Sequence, residues 1–201
     1  YASDLEKRVE KRTTQLGREY ARNEALLSIM SQLSTSLDMD LVLNRTLGLI
    51  NEKIGAQHSL IMLLQPDKSS LFLRAALGST HTTPEGGQPT ALKANEGLVG
   101  WVITHRKPAL ISDLTTDSRW LKLNDQPPPN RSAIAVPLMI SDEILGALLL
   151  YHQEAGMFDE DQLDLAQATA NQIAVAINNS QLYHLIRDQA ERLGEMLHSQ
   201  H

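Results

Sequence analysis

The chain has 201 residues, of which 42% are hydrophobic and 21% charged, enough for one domain of ordinary size and a further segment. Its net charge of −6 argues against nucleic acid as a partner, because phosphate backbones attract basic surfaces. The absence of cysteine excludes disulfides, thiolate nucleophiles, cysteine zinc sites and iron–sulfur clusters. No apolar run approaches the ~18 residues of a membrane span, so we expect a cytoplasmic segment without membrane contact.

Residues 1–37 combine dense charge with an apolar heptad seam, which predicts a coiled coil. The apolar a and d positions are Leu5, Val9, Leu16, Leu26, Met30, Leu33 and Leu37. Arg12, Glu19 and Asn23 interrupt this seam in its middle. The alternative is a single amphipathic helix lying on its own domain. Because the helical pattern is already running at Tyr1 and continues to the last residues, we expect a piece of a longer polypeptide.

The next elements are a helix and a hairpin. Asp38 and Asp40 offer N-cap side chains to an apolar helical pattern that Gly55 ends. Two apolar runs, 59–65 and 71–77, flank a turn cluster and therefore predict a β-hairpin. Residues 78–91 lack periodicity and predict an exposed loop.

The second half of the chain predicts one short helix, three strands and one long helix. The helix covers 97–105 and is limited by Pro108. A strand at 109–112 precedes a long segment, 113–131, and a second hairpin joins strands at 133–140 and 144–151. A proline-free helix then runs from 159 to about 198. Antiparallel hairpins with helices mostly on one face predict an α+β fold.

Four segments in this order resemble the GAF domain family: 96–113, 131–148, 158–166 and 171–179. They read EGLVGWVITHRKPALISD, RSAIAVPL followed by EILGAL, FDEDQLDLA, and NQIA followed by AINN. The resemblance covers roughly residues 26–183. It implies a GAF-like (PAS-like) six-stranded antiparallel sheet with helices from both chain ends on one face and a ligand pocket on the other. It also implies a long coiled-coil-type helix at each terminus.

The resemblance implies three parts: an N-terminal signalling helix at 1–37, a GAF sensory domain at 38–180 and a linker helix at 181–201. Residues 5–16 are similar to the signalling helix that precedes sensor modules in bacterial histidine kinases. We therefore expect a regulatory module that forms a parallel homodimer and signals to an output domain in the same polypeptide, a histidine kinase. The alternatives are a catalytic GAF enzyme acting on a small metabolite and a ligand-free dimerising spacer.

The resemblance also argues against some of the ligand classes that the family binds. The family's free methionine sulfoxide reductases need cysteine, and its bilin-binding members usually anchor the chromophore through cysteine, so we expect no covalent bilin here. Cyclic-nucleotide members carry an Asn-Lys…Phe-x-x-x-Asp-Glu signature, but Phe158 is followed by Gln162-Leu163 and no Asn-Lys pair precedes it. Any small-molecule ligand or cofactor therefore stays unidentified.

Candidate ligand residues cluster at the pocket rim that the resemblance implies. They are Trp101, Asp113, Arg119, Trp120 and Arg131, with Asp117 between them. An arginine could pair bidentately with a ligand carboxylate or phosphate, and the tryptophans could form an aromatic wall. The alternatives are tryptophans that anchor the core and an exposed loop with local salt bridges.

No residues predict catalysis or metal binding. The seven histidines lack metal-ligand spacing, and no GxSxG or SxxK motif is present. Gly97 and Gly100 form a GxxG pair whose predicted role is helix packing rather than phosphate binding. The dimer interface is predicted to include, besides the N-terminal seam, Leu182, Ile186 and Leu193.

Overall fold

The computed structural model describes residues 39–78, 92–119 and 130–198. It also describes helical residues 7–8, 10–15, 17–19 and 22. At 92, 184 and 186–198 it describes the backbone alone. We number its elements α1 (Met39–Ile54), β1 (His58–Leu64), β2 (Ser70–Leu77), β3 (Leu92–Lys93), α2 (Gly97–His105), β4 (Ala109–Ile111), β5 (Ser132–Ile140), β6 (Glu143–His152) and α3 (Glu160–His198). The helices and hairpins predicted for 39–77 and 97–198 are confirmed to within one or two residues.

Several predicted features lie outside the described residues. These are Trp120, most of the loop 78–91, and the seam residues Leu5, Val9, Leu16, Leu26, Met30, Leu33 and Leu37, together with the side chains of Ile186 and Leu193.

The strands form one antiparallel sheet in the order β3-β2-β1-β6-β5-β4. Five strands of three to ten residues make up its body. The two-residue strand β3 extends the edge through pairing of Lys93 with Ser70. Reading the residues alone missed β3, because two residues cannot show an alternating pattern. The antiparallel α+β fold that we expected is confirmed.

The two faces of the sheet carry separate hydrophobic clusters, because successive side chains of a strand point to opposite faces. On one face, Ile134, Val136 and Leu148 pack with residues of α1 and α3. On the other face, smaller side chains such as Ala133 and Ala135 pack with residues of α2. Helices α1 and α3 therefore share one face, and α2 covers the other.

The start of α3 is tied both to its own first turn and to the end of α1. Asp159 accepts a hydrogen bond from the Gln162 amide nitrogen at 2.9 Å, while the Gln162 side chain accepts one from the Asp159 amide at 2.7 Å. This reciprocal pair is a capping box. The Gln162 side-chain nitrogen also donates to the Ile54 carbonyl at 2.7 Å. One side chain thus joins α1 to α3.

Helix α3 changes character along its length. Ala166, Ala170 and Ala174 are fully buried, and such small side chains let a helix lie close to the sheet. Further along, Leu182 is 49% exposed and Leu185 55% exposed. Among the described residues, no helix is both long and apolar enough to cross a bilayer.

Candidate ligand site

Helix α2 presents two different stripes of side chains. Leu98, Val99, Val102 and Ile103 are buried against the sheet. With 3.6 residues per turn, positions 97, 100, 101, 104 and 105 fall on the opposite side of the helix. The side of α2 that faces away from the sheet is called its outer face below, and it carries Thr104 and His105, which are exposed, and Trp101, which is half-buried and also packs against the buried cluster.

The space between α2 and the sheet is filled with side chains. Leu98 and Val102 belong to the same buried cluster as Leu149 and Tyr151 of β6. Tyr151 is only 7% exposed, and this burial raises the pKa of its phenol, so the hydroxyl stays protonated. The inner side of α2 is therefore a packed, water-excluding core, a feature that the candidate residues from sequence did not include.

The two glycines at the start of α2 have different structural roles. Gly97 has φ +70°, a backbone conformation that glycine adopts without strain. A Cβ on Gly100 would lie 2.4 Å from the carbonyl carbon of Asn95, so only glycine fits there. Both roles concern the local backbone, and the role in helix packing expected of this GxxG pair stays a prediction.

Trp101 is the centre of a cluster on the outer face of α2. The guanidinium carbon of Arg119 lies 4.6 Å from the centroid of the Trp101 ring, which is the distance of a cation–π contact. The His105 ring stacks on Trp101, with centroids 4.6 Å apart and an interplanar angle of 19°. The Nδ1 atom of His105 lies 2.9 Å from the Trp101 carbonyl oxygen and donates to it, which leaves Nε2 on the other side of the ring.

Asp117 fixes Arg119 in this position. Its carboxylate accepts hydrogen bonds from Nε at 2.9 Å, from Nη2 at 2.7 Å and from the Arg119 amide at 2.9 Å. The hydrogen bond from Arg119 lowers the pKa of Asp117 and raises that of Arg119. Both side chains are mostly covered, 16% exposed for Asp117 and 27% for Arg119. The hydrogen bonds between them outweigh this burial and keep the pair charged.

A second arginine–carboxylate pair, between Arg131 and Asp113, joins the two ends of the long segment. Arg131 donates to Asp113 through Nε at 3.0 Å and through Nη2. Thr115 also donates to Asp113 through its amide at 3.0 Å and its hydroxyl at 2.7 Å. These hydrogen bonds, the one from Arg131 foremost, lower the pKa of Asp113. The Leu114 amide donates to the Arg131 carbonyl at 2.6 Å, so side chains and backbone close the segment together.

The candidate residues from sequence therefore fall into two groups. Trp101 and Arg119 border one cavity of about 340 Å³, whereas Asp113 and Arg131 pair with each other outside its lining. The cavity is lined by Asn95, Gly97, Gly100, Trp101, Thr104, His105, Ser118 and Arg119. Sequence reasoning missed Asn95, Thr104 and Ser118. For Thr104 the signal was the stripe opposite the apolar positions of α2, which places it beside Trp101. Asn95 and Ser118 lie outside the helix and had no such signal.

The described residues contain no group of three or more His, Asp or Glu side chains that could hold a metal ion. As far as the structure describes it, the outer face offers side-chain hydroxyl and amide groups, the guanidinium of Arg119 and aromatic surface.

The sequence model for the GAF domain matches residues 36–178. The chain belongs to the GAF domain family. Among solved structures, this GAF chain is similar to the GAF domain of a phosphoenolpyruvate-protein phosphotransferase from Coxiella burnetii, with 17% identity, a TM-score of 0.73, and coverage of 83% of this chain and 98% of that one. It is also similar to the free methionine-R-sulfoxide reductase of Neisseria meningitidis, with 18% identity, a TM-score of 0.69, and coverage of 81% of this chain and 91% of that one. At these identities the likeness shows the fold.

Two curated relatives of this GAF chain are regulators by name. The Nif-specific regulatory protein of Azotobacter vinelandii is 24% identical over 98 residues, which are 49% of this chain and 19% of that protein. The DNA-binding transcriptional activator HyfR of Escherichia coli is 34% identical over 67 residues, which are 33% of this chain and 10% of that protein. The matched region thus spans a fifth or less of each relative.

Proposed function

We propose that this GAF domain is a regulatory sensory module that dimerises in parallel and transmits a signal through α3 to an output domain in the same polypeptide. The observation that carries the proposal is α3 itself, one helix of 39 residues from Glu160 to His198. Its first half belongs to the domain core, and just beyond that half Leu182 and Leu185 are about half exposed.

The buried half of α3 can sense a change in the domain. Ala170, Ile173 and Ala174 have no exposed surface and pack in the same cluster as strand residues of β5 and β6. Interiors this closely packed pass on small displacements rather than absorb them. A shift of the sheet would therefore move α3 along its whole length.

The exposed half of α3 offers a surface for a second copy of the chain. Leu182 and Leu185 are both about half exposed. From Leu182, spacings of four and seven residues lead to the predicted seam positions Ile186 and Leu193. Apolar side chains repeated at spacings of three and four residues favour a coiled coil. A parallel homodimer would bury this stripe on both copies.

The N-terminal helical residues lie beside the start of α3. Arg18 is 3.7 Å from Asp161, and Arg22 is 3.4 Å from Asp164. The residue numbers rise together along both helices, so the incoming helix runs parallel to the outgoing one at this point. Exposed ion pairs contribute little to stability, so this contact can be rearranged at low cost.

We propose a histidine kinase as the output domain, on the likeness of residues 5–16 to signalling helices of such kinases. The two regulators among the curated relatives favour a regulatory output in general. A catalytic GAF enzyme is the second candidate, because a free methionine-R-sulfoxide reductase shares the fold. The resemblance implies a cysteine for that chemistry, and this chain has none.

Dimerisation is tested with charges in the exposed seam. Analytical ultracentrifugation of the unaltered chain should give a dimer, and Leu182→Glu with Leu185→Glu should give a monomer whose domain is still folded by circular dichroism. The matched control, Asn171→Glu with Gln181→Glu, adds the same charge at exposed polar positions of α3 and should stay dimeric. A dimer that survives the seam variant, or an unaltered chain that is monomeric, would contradict the proposal.

Transmission is tested by inserting residues after Gln181 in a fusion of the chain to the catalytic part of a homodimeric histidine kinase. One inserted residue rotates the rest of the helix by about 100°, and seven return it close to its original phase. We expect kinase activity to change on insertion of one residue and to return with seven. Kinase activity that is the same for every insertion length would indicate a spacer that carries no signal.

A further inference from the structure

The outer face of α2 bears a cavity whose ligand chemistry follows from its lining. Its volume, about 340 Å³, lies at the lower end of the ~300–1,000 Å³ typical of small-molecule sites. That size suits a small metabolite and is too small for a tetrapyrrole. The cavity is built from one side of α2 and the facing residues Ser118 and Arg119.

The charge of the lining favours an anion. Among the lining residues that the structure describes, Arg119 is a permanent cation and none carries a carboxylate. Asp117 is not part of the lining, and its carboxylate accepts hydrogen bonds from Nε and from one hydrogen on Nη2 of Arg119. A guanidinium has five N–H donors, so three remain after these two contacts. In the described part of the chain no acceptor takes the Nη1 donors.

The remaining polar groups suit a carboxylate. The hydroxyls of Thr104 and Ser118 and the side-chain amide of Asn95 can donate hydrogen bonds to its oxygens. Because Asp117 already offsets the charge of Arg119, the pair supplies hydrogen-bond donors rather than a net positive charge, which suits the single charge of a carboxylate better than the two charges of a phosphate. The Trp101 ring and the glycine backbone at 97 and 100 supply apolar surface for the rest of the molecule.

We propose that this cavity binds a small organic monocarboxylate, whose carboxylate pairs with the Nη1 edge of Arg119. The inference deepens the proposed sensory function and rests on it for its biological meaning, since a bound metabolite would supply the signal. The binding step itself needs no output domain and no dimer.

Binding is tested by fluorescence titration of the Trp120→Phe chain, whose remaining tryptophan is Trp101. The probes are a panel of aliphatic and aromatic monocarboxylates at millimolar concentration, with their carboxamides and inorganic phosphate as comparisons. We expect at least one carboxylate to change Trp101 emission saturably, while its carboxamide and phosphate do not. A panel without saturable binding, or a carboxamide or phosphate that binds as tightly, would overturn the proposal.

Two variants locate the site. Arg119→Gln should weaken carboxylate binding by about tenfold or more, because a hydrogen bond to a charged group is lost. Arg131→Gln is the matched control, since it also removes one arginine of an arginine–carboxylate pair but lies outside the lining, and it should bind normally. Equal binding by the two variants would refute the assignment.

A third substitution keeps the test decisive should Arg119→Gln fold poorly. Thr104 is an exposed residue of α2, so Thr104→Glu should leave the fold intact while placing a carboxylate in the cavity. It should weaken binding more than the isosteric Thr104→Gln, and equal affinities would contradict the proposal. A negative result in these titrations would overturn the carboxylate site but not the proposed dimer and helix signalling. A negative result in the ultracentrifugation or insertion experiments would overturn that signalling but not the carboxylate site.

Discussion

The guanidinium carbon of Arg119 lies 4.6 Å from the centroid of the Trp101 ring, and this contact joins the long segment after β4 to helix α2. Asp117 holds the other edge of the same guanidinium with two side-chain hydrogen bonds. The arginine is thus fixed between a carboxylate and an aromatic ring. Its position depends on both partners, which gives the first prediction.

Replacing Asp117 by Asn should lower the free energy of unfolding by about 1 kcal/mol at neutral pH, because a mostly covered charged pair is lost. The Arg119 hydrogen bond holds the pKa of folded Asp117 below its usual value. Its stabilising contribution is therefore complete above the unfolded pKa of about 3.9 and disappears as pH falls through the folded pKa. Urea unfolding of both proteins from about pH 7 down to about pH 2 should show the difference shrinking, and a constant difference would contradict this account.

The two helical glycines Gly48 and Gly100 should respond oppositely to alanine. A Cβ on Gly48 would meet only Leu77 Cδ2 at 3.8 Å, an ordinary contact, so Gly48→Ala should stabilise α1 by about 0.5–1 kcal/mol. A Cβ on Gly100 would lie 2.4 Å from Asn95 backbone, so Gly100→Ala should destabilise by about 1–3 kcal/mol. Thermal unfolding of both variants checks this, and shifts of the same sign would be inconsistent with the packing described.

Gln162 should matter for the joint between α1 and α3 beyond its role as a helix cap. Gln162→Glu keeps an acceptor for the Asp159 amide but loses the donor to the Ile54 carbonyl, whereas Gln162→Ala loses both. We expect losses of about 1 kcal/mol for Glu and about 2 kcal/mol for Ala. Denaturant unfolding measures both, with Gln181→Ala as an exposed control. Equal stability of Gln162→Glu and the unaltered chain would show that the bond to Ile54 contributes nothing.

The buried half of α3 should tolerate neither removal nor addition of volume. Ile173→Ala leaves a cavity and should destabilise by about 2–4 kcal/mol, and Ala170→Leu overfills a site with no exposed surface and should cost about 1–3 kcal/mol. Val175→Ala, at a position 44% exposed on the same helix, should change stability by less than about 0.5 kcal/mol. Similar losses for Val175 and Ile173 would refute the proposed orientation of α3.

The sequence by itself determined the elements and the family. Short apolar runs on either side of turn residues predicted both hairpins. Helix α1 ends at Ile54, directly before Gly55, whose φ of +79° suits glycine. The order of the GAF-like segments then indicated the antiparallel sheet. These features are readable because each depends on neighbours within one turn or one strand.

Only the tertiary structure decided how the candidate residues combine. Asp113, Arg119 and Arg131 are close in sequence, yet Arg119 pairs with Asp117 beside Trp101 while Arg131 pairs with Asp113 outside the cavity. The bond from Gln162 to Ile54 joins residues 108 positions apart. Such contacts depend on how α2 and the long segment pack on the sheet, and a local pattern carries no information about side chains that meet only after the chain has folded.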